Sequence, residues 1–307
     1  MGRYVVQRLV TMVVVLWVIV TLTFFMMRAI PGGPFASEKN IPEAVLQNIE
    51  RRYKLDQPLW KQYTDYLSNV IVWDLGPSFK LEGVTVNDII NRGFPVSATL
   101  GALSVLLSLA VGVPAGIIAA MRHNGTADRV TMALTVLTIS VPSFILSTVL
   151  QYVFAFKLRW FPPALWGSWK HMVLPTLALS SFSMAWIAKL TRSSLLEVIG
   201  QDYIRTARAK GLPEAVITWR HMLKNAMIPV IAYLAPLTAA LLTGTFVIES
   251  IFAIPGLGRE FVTSIANRDY TVTLGVTVFY GALLVGLTLV GDLLTALVDP
   301  RIRLEGD

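Results

Sequence analysis

Long apolar runs alternate with short polar stretches along the chain: 9–27, 97–121, 130–156, 172–190, 230–248 and 273–298. Each is close to or beyond the roughly 20 residues an α-helix needs to cross the hydrocarbon core of a bilayer. The runs carry almost no charge, and a segment in lipid has to hydrogen-bond its own backbone, so they are expected to cross as helices. The runs that begin at 97 and 130 exceed a straight crossing, which predicts tilt or interfacial ends. The pattern therefore predicts an all-α membrane protein with six transmembrane helices.

The only long polar stretch, 29–93, is expected to form a helical external segment. Within 41–55, Val45, Ile49 and Tyr53 recur every four residues, and 57–72 repeats the pattern with Trp60, Tyr63, Leu67 and Ile71, so two amphipathic helices are predicted. Asp74-Leu75-Gly76-Pro77-Ser78 is turn chemistry that ends the second. Thr85-Val86-Asn87-Asp88 reads as a capping box for a short helix stopped near Gly93, with Pro95 opening the next span. This segment is either a lid packed on the spans or a docking surface for a delivery partner. The division predicted is a cytoplasmic N-terminus and first helix (1–28), the external region (29–93), a five-helix core (94–298) that includes the loop 191–229, and a cytoplasmic tail (299–307).

Arg3 and Arg8 ahead of an apolar run also resemble a secretory signal. The run is longer than a signal's apolar core, however, and Met27-Arg28-Ala29-Ile30-Pro31 offers no small-x-small cleavage site, so an uncleaved anchor is expected. With the N-terminus inside, the tails, the 122–129 turn and the 189–229 loop hold thirteen Lys and Arg, against five in the 157–171 and 249–272 loops. The positive-inside bias thus predicts that both termini are cytoplasmic.

Composition agrees with a membrane solvent. Hydrophobic residues make up 54% of the 307, charged residues only 15%, and the mean hydropathy is +0.62, too apolar for a water-soluble domain. The net charge of +7 is explained by the inside bias, and no nucleic-acid partner is expected. The absence of cysteine excludes disulfides, thiolate metal sites and cysteine nucleophiles.

The most informative polar stretch is RTARAKGLPEAVITWRHMLKNAMIPV, from Arg205 to Val230. Asp202 is expected to cap a helix with Ile204, Ala207 and Gly211 on one face. Gly211 then stops it in the left-handed conformation, and Pro213 with Glu214 opens a second helix. In that helix Ala215, Val216, Trp219, Met222 and Leu223 form the predicted apolar stripe, with Glu214, Thr218, Arg220, His221, Lys224 and Asn225 on the rest. A basic interfacial helix on anionic headgroups fits this pattern; a rigid elbow projecting a polar face suits a protein partner better.

Other polar positions divide by chemistry. Thr238, Thr245 and Glu249 fall on roughly one face of the fifth run, near its external end. A carboxylate there needs a partner, for which Arg259, Arg268 or a peptide amino terminus in transit qualify, unless Glu249 is simply a hydrated helix end. Asp292 reads as a structural pair or helix-terminal acid. Gly112-Val113-Pro114-Ala115-Gly116 is a small-residue packing face or a kink, and Gly256-Leu257-Gly258 is a turn. No phosphate-loop pattern G-x-x-x-x-G-K-[ST] occurs, and neither H-E-x-x-H nor G-x-S-x-G does. His123, His171 and His221 are expected in three separate loops. The chain is therefore expected to bind no cofactor and to be no enzyme.

The segment 203–211 with its following helix resembles the loop that permease subunits of type I ATP-binding-cassette importers present to their ATPases. Arg205, Thr206 and Ala207 stand at that family's Glu-Ala-Ala triplet and Gly211 at its glycine. Where its later Ile-x-Leu-Pro element would fall, this chain has His221, Met222, Leu223 and Lys224. FFMMRAIPGGPF (24–35), DLGPSF (74–79), TRSSLLEV (191–198), DYIRTARAKGL (202–212), ESIFAIPGLGREF (249–261), NRDY (267–270) and DPRIR (299–303) resemble the first permease subunit of the peptide-transporter branch. Within that branch, the short 157–171 loop and GPSFK…VNDII…FPVS (76–97) are more similar to the oligopeptide B-type subunit than to dipeptide or nickel relatives.

The resemblance implies a bacterial inner-membrane permease that pairs with a homologous second permease subunit. It further implies two ATPase subunits holding ATP and Mg, and an external peptide-binding protein. Arg205, Thr206, Ala207, Arg208, Gly211, Leu212, Pro213, Glu214, Thr218 and His221 would form the ATPase-coupling loop, and Thr238, Thr245 and Glu249 are candidates for the translocation path or external gate. A secondary transporter is the alternative class, disfavoured because neither an intramembrane acid-base chain nor an inverted repeat with broken helices is evident. An intramembrane hydrolase is weaker still.

Overall fold

The computed structural model describes residues 2–31, 33–35, 47, 51, 53–244 and 246–298; it is built of helices, and among the described residues the only extended pairing is a single bridge between Pro77 and Thr85. The helices are α1 (Gly2–Ala29), α2 (Leu59–Ile71), α3 (Val86–Met121), α4 (Thr126–Ser140), α5 (Ser143–Leu150, continued by wide π turns over Gln151–Lys157) and α6 (Trp169–Ile199). They are followed by α7 (Asp202–Ala209), α8 (residues 214–226), α9 (Ile228–Leu242), α10 (Phe246–Ile251), α11 (Leu257–Ala266) and α12 (Tyr270–Val298).

Five stretches are long and apolar enough to cross a membrane: Val6–Ala29, Val86–Met121, Trp169–Ile199, Ile228–Ile251 and Tyr270–Asp292. The sixth expected run, 130–156, is not one straight helix: α4 and α5 meet at an angle of 102°. Val141 leaves the helical region (φ −87°, ψ 119°) directly before Pro142. Proline crowds the α conformation of the residue before it and has no N–H to continue the ladder, so the helix stops and restarts.

The opposite correction applies further upstream. The capping box forms as expected, with Thr85 N–H and Oγ1 donating to Asp88 Oδ2 at 3.0 and 2.6 Å and Asp88 N–H donating to Thr85 Oγ1 at 3.1 Å. The helix it starts does not end near Gly93, however, but continues through Pro95 to Met121. Gly93 is used for close approach: a Cβ there would stand 3.0 Å from the backbone of Leu257.

The chain divides into two compact units, Gly2–Val96 with Gly256–Val285, and Ser97–Pro255 with the residues from Gly286 onward. In the first, Phe24, Met27, Tyr270 and Leu274 form one buried cluster, and Leu75, Val86, Ile90, Val272 and Val276 another. Tyr63 and Tyr66 turn the inner face of α2 toward Phe24, while Trp60 and Ile71 of the expected stripe are exposed. The expected helix over 41–55 lies largely outside the described residues.

In the second unit a line of small residues on α3, Ser104, Ser108, Gly112 and Gly116, is buried. Ser108 and Ser183 of α6 share a hydrogen bond at 2.7 Å, and a Cβ on Gly112 would lie 2.7 Å from the Met184 carbonyl oxygen. Small side chains let helix backbones approach within contact distance, which packs apolar helices without a hydrophobic driving force. The 112–116 motif is thus a packing face, and α3 stays helical through Pro114.

Candidate functional site

The elbow is built as two short helices around a glycine. Gln201, not Asp202, is the residue that precedes α7; Asp202 is in its first turn, with Arg205 Nη1 3.4 Å from its carboxylate. At the far end Gly211 has φ +73°. Its N–H donates to Arg208 O at 2.9 Å and the N–H of Leu212 donates to Ala207 O at 3.4 Å, the paired bonds of a glycine-terminated helix. Pro213 is extended (φ −61°, ψ 139°) and Glu214 starts α8.

Three contacts fix the angle of the elbow. Arg208 Nε donates to Glu214 Oε1 at 2.7 Å and Nη2 to Oε2 at 3.4 Å, across the turn. That hydrogen-bonded guanidinium holds the Glu214 carboxyl below its usual value and raises Arg208 in turn. Asn225 Nδ2 donates to Tyr203 Oη at 2.8 Å, joining α8 to α7. Beneath these polar ties, Ile204, Ala207, Ile217, Met222 and Ala226 pack with Leu195 and Val198 of α6 and Ala120 of α3 in one buried cluster.

The buried face of α8 differs from the expected one. Ile217, Thr218, Met222, Leu223 and Ala226 are buried, whereas Val216 is 39% and Trp219 71% exposed. The cause is the π-helical course of Ile217–Met222. In a wide turn residues five apart share a face, so 217 with 222 and 218 with 223 point inward, where an α-helix would have turned Trp219 in. Thr218 is satisfied locally, donating to Glu214 O at 2.8 Å. His221, expected on the polar side of this helix, is half-buried in it.

The outward face combines Tyr203, Leu212, Val216 and Trp219 with exposed Arg205, Thr206, Lys210, Arg220 and Lys224. The sequence signal for the aromatic part was present, a tryptophan in a basic segment, but α periodicity assigned it to the wrong side.

At the base of the elbow lies an ion pair that sequence reasoning missed. Arg192 Nη2 donates to Asp128 Oδ2 at 2.8 Å, the N–H of Asn124 donates to the same oxygen at 2.9 Å, and His123 Nδ1 is 3.2 Å from Arg192 Nη2. Asp128 is 3% exposed. The pair ties the 122–129 turn to α6, whose C-terminal end carries α7. An acid in a basic turn was its only sequence trace.

The second group of candidates surrounds a break in the 228–251 stretch. Gly244 has φ +79°, and beyond it α10 carries Glu249 fully buried, accepting a hydrogen bond from Ser97 Oγ at 2.7 Å. A Cβ on Gly244 would collide with Glu249 Oε1, so the glycine is required for space as well as for φ. Glu249 is therefore not a hydrated helix end. Thr238 is half-buried in α9 and makes no hydrogen bond to Glu249 among the described residues, and Thr245 lies outside them. Arg268 donates to Pro31 O at 3.1 Å.

The three histidines do not converge: His171 accepts from Ser168 N–H in the capping box of α6 and His123 sits beside Arg192. Among the described residues no three His, Asp or Glu side chains form a group suited to a metal ion.

Two family models match the chain. That of the binding-protein-dependent transport system inner membrane component covers residues 112–304, and that of the N-terminal membrane component of such systems covers residues 1–101. Over 99% of its length the chain is 51% identical to the dipeptide transport system permease protein DppB of Bacillus subtilis, covering 99% of that protein. It is 43% identical to the oligopeptide transport system permease protein OppB of Salmonella typhimurium, over 99% of this chain and 100% of that protein. Among solved structures, the inward-facing MetNI methionine ABC transporter is similar in fold, with a TM-score of 0.59 at 18% identity over 69% of this chain and 96% of that one.

Proposed function

The chain belongs to the binding-protein-dependent transport system inner membrane components, and on that premise we propose that it is the permease subunit of an ATP-driven importer of short peptides. The observation that carries this reading is the elbow of 202–226. Its inner face is locked to the helices above it by the Leu195–Ile217–Met222 cluster, and its outer face sets Tyr203 and Trp219 among basic side chains. Exposed aromatic anchors among charged side chains fit a protein-docking surface, and the Arg208–Glu214 and Tyr203–Asn225 contacts hold that surface in one shape.

In this reading two ATPase subunits grip the elbow, hold ATP and Mg and carry out hydrolysis. This chain contributes no catalytic group. A homologous second permease completes the path through the bilayer, and an external peptide-binding protein delivers substrate at the 29–93 segment. Both termini face the cytoplasm of a bacterial cell, and Glu249 with Ser97 lies beside the external mouth. No nucleic acid is involved. Relatives named for dipeptides and for oligopeptides both align along the whole chain, so the shared substrate class is the peptide backbone, and the oligopeptide preference suggested by residues 76–97 is the finer reading.

Purification through a tag on this chain tests the assembly: ATPase subunits and a second permease are expected to copurify, and peptide uptake into vesicles to require ATP. Uptake driven by an ion gradient without ATPases would replace this reading by a secondary transporter. A competition series from dipeptides to pentapeptides ranks length; stronger competition by dipeptides would overturn the oligopeptide preference. The chain has no native cysteine, so single cysteines at Lys61 and Lys210, both exposed, report sidedness: an impermeant maleimide is expected to reach the first from outside only and the second from inside only.

A further inference from the structure

The unit formed by Gly2–Val96 and Gly256–Val285 contains a cleft of about 260 Å³, walled by the end of α1, by α2, by the 74–79 turn and by the start of α12, with Lys54, Asp65 and Asp74 beside Arg28 among its charged lining. Its polar groups are incompletely satisfied. Arg28 lies with its guanidinium carbon 5.2 Å from the centre of the Phe24 ring, and its Nε is buried with no hydrogen-bond partner. Tyr66 stacks on Phe24 with ring centres 6.0 Å apart, and its hydroxyl is likewise buried and unpaired. Gln62 directs Nε2 to two backbone carbonyls, Leu55 O at 3.0 Å and Gln57 O at 2.6 Å. Those two acceptors fix which end of the amide is nitrogen, and Oε1 is left buried without a donor.

A buried polar group without a partner costs free energy that a protein ordinarily avoids, and here three such groups line one cleft. Together they specify a ligand. Arg28 and the Tyr66 hydroxyl donate and so call for an acceptor, best an anion with two oxygens that a guanidinium can engage. Gln62 Oε1 accepts and calls for an N–H. A bare inorganic anion lacks the donor, and a simple amine, although Asp65 and Asp74 also line the cleft, leaves Arg28 and the Tyr66 hydroxyl without an acceptor. A carboxylate with an amide N–H one residue back supplies both, and the cleft is smaller than those that enclose a drug-sized molecule.

We propose that this cleft binds the carboxyl-terminal residue of a short peptide, with the carboxylate on Arg28 and Tyr66 and the terminal amide N–H on Gln62; the choice of a peptide rests on the reading of the chain as a peptide permease. The site lies away from the elbow and from Glu249 in sequence and serves capture, not coupling.

The test is calorimetric titration of the purified full chain in lipid nanodiscs with trialanine and with trialanine carboxyamide. Trialanine is expected to bind at least tenfold more tightly than the amide. Tyr66→Phe keeps the ring stack and is expected to weaken trialanine several-fold while leaving the amide unchanged; Arg28→Met is expected to bring the acid down to the amide. Equal binding of acid and amide by the unmodified chain, binding of neither, or unchanged acid binding in Tyr66→Phe each overturns the site, whose polar groups would then be satisfied by water alone. ATP-driven trialanine uptake by the assembled complex is measured in parallel. Uptake without acid–amide discrimination by the chain removes this site and retains the importer, whereas discrimination without uptake retains the site and removes the importer.

Discussion

Asp269 and Ser78 stand 191 residues apart in the chain and meet in a buried hydrogen bond, the hydroxyl donating to Oδ2. Asp269 Oδ1 also accepts from the N–H of Phe79 at 3.1 Å and of Val272 at 3.3 Å and from Thr271 Oγ1 at 3.0 Å, and Oδ2 accepts from Lys80 N–H at 3.3 Å. One carboxylate, 3% exposed, thereby ties the DLGPSF turn to the start of α12. These are two of the seven blocks that carried the family resemblance, and in this chain the carboxylate joins them.

Asp269→Ala is therefore expected to leave several buried donors without an acceptor, at a cost of about 1–3 kcal/mol for each group that water cannot reach. The measurement is the thermal melting of the purified chain together with protease sensitivity of residues 74–81. A melting temperature equal to that of the unmodified chain would show that the carboxylate is not holding the turn. Ser78→Ala removes one of these bonds and also the oxygen that accepts from the N–H of Lys80 at 3.1 Å and of Leu81 at 2.8 Å; because Lys80 N–H still reaches Asp269 Oδ2, it is expected to shift the melting by less.

Glu249→Gln keeps the shape of the buried side chain and an oxygen for Ser97 Oγ but removes the charge. Transport per assembled complex is expected to fall while yield in the membrane stays near normal. Gly244→Ala, in contrast, combines a φ of +79° with a collision at Glu249 Oε1 and is expected to lower yield itself, by about 1–3 kcal/mol of backbone strain or more. If Glu249→Gln lost yield and uptake in proportion, the carboxylate would be a structural cap and not a part of the path.

The Arg208–Glu214 bridge gives the elbow a pH dependence whose sign follows from the lowered Glu214 carboxyl. A carboxyl depressed in the folded state lends its stabilisation above the unfolded value, and the contribution is lost as pH falls through the folded one. The bridge is consequently intact at neutral pH and opens only in acid, below the ordinary carboxylate range. A fluorophore on a cysteine at Lys210 is expected to gain mobility there, while Glu214→Gln shows the mobile signal at every pH. Both partners are substantially exposed, with side chains 41% and 57% accessible, so the effect is on local order and not on global stability. Identical pH curves for the two proteins would rule the bridge out as a brace.

Much of this molecule was legible from hydropathy alone, because span length and backbone satisfaction leave helices as the only solution. The elbow was legible because glycine enters the left-handed turn at 211 without strain and proline fixes φ at 213, just before a helix start. What escaped was set by tertiary contact. Nothing local says that Gly93 admits the backbone of Leu257 instead of ending a helix, or that Pro95 is carried inside one. Pro142 carried the break signal, but the apolar run continues across it and hydropathy cannot see a bend. The inward face of α8 was misread because a π turn shifts which residues share a face. Partners such as Asp128 with Arg192, or Asp269 with Ser78, lie too far apart in sequence for any periodicity to join them.

The elbow yields the most direct prediction, since its outward face can be altered without touching its buried one. Trp219 is 71% exposed and belongs to no buried cluster, so Trp219→Ala is expected to leave insertion and melting unchanged. A tryptophan at the centre of a protein interface commonly contributes 2 kcal/mol or more to binding, so capture of the ATPase subunits is expected to weaken about thirtyfold. Gly211→Val tests the same surface through geometry: a Cβ at Gly211 meets no atom within 4 Å, and any effect comes from placing a β-branched residue at φ +73°, about 1–3 kcal/mol of strain. That strain is relieved by re-aiming α8, so the variant is expected to insert normally while binding the ATPases poorly, or binding them without coupling hydrolysis to uptake. Pull-down of the ATPases and peptide-stimulated hydrolysis in reconstituted vesicles read the two effects separately. Normal values of both in Trp219→Ala and Gly211→Val would remove the elbow as the lever and leave a basic helix resting on anionic headgroups, whose signature is instead a loss of binding to vesicles containing acidic lipid on Arg205→Gln/Arg220→Gln substitution.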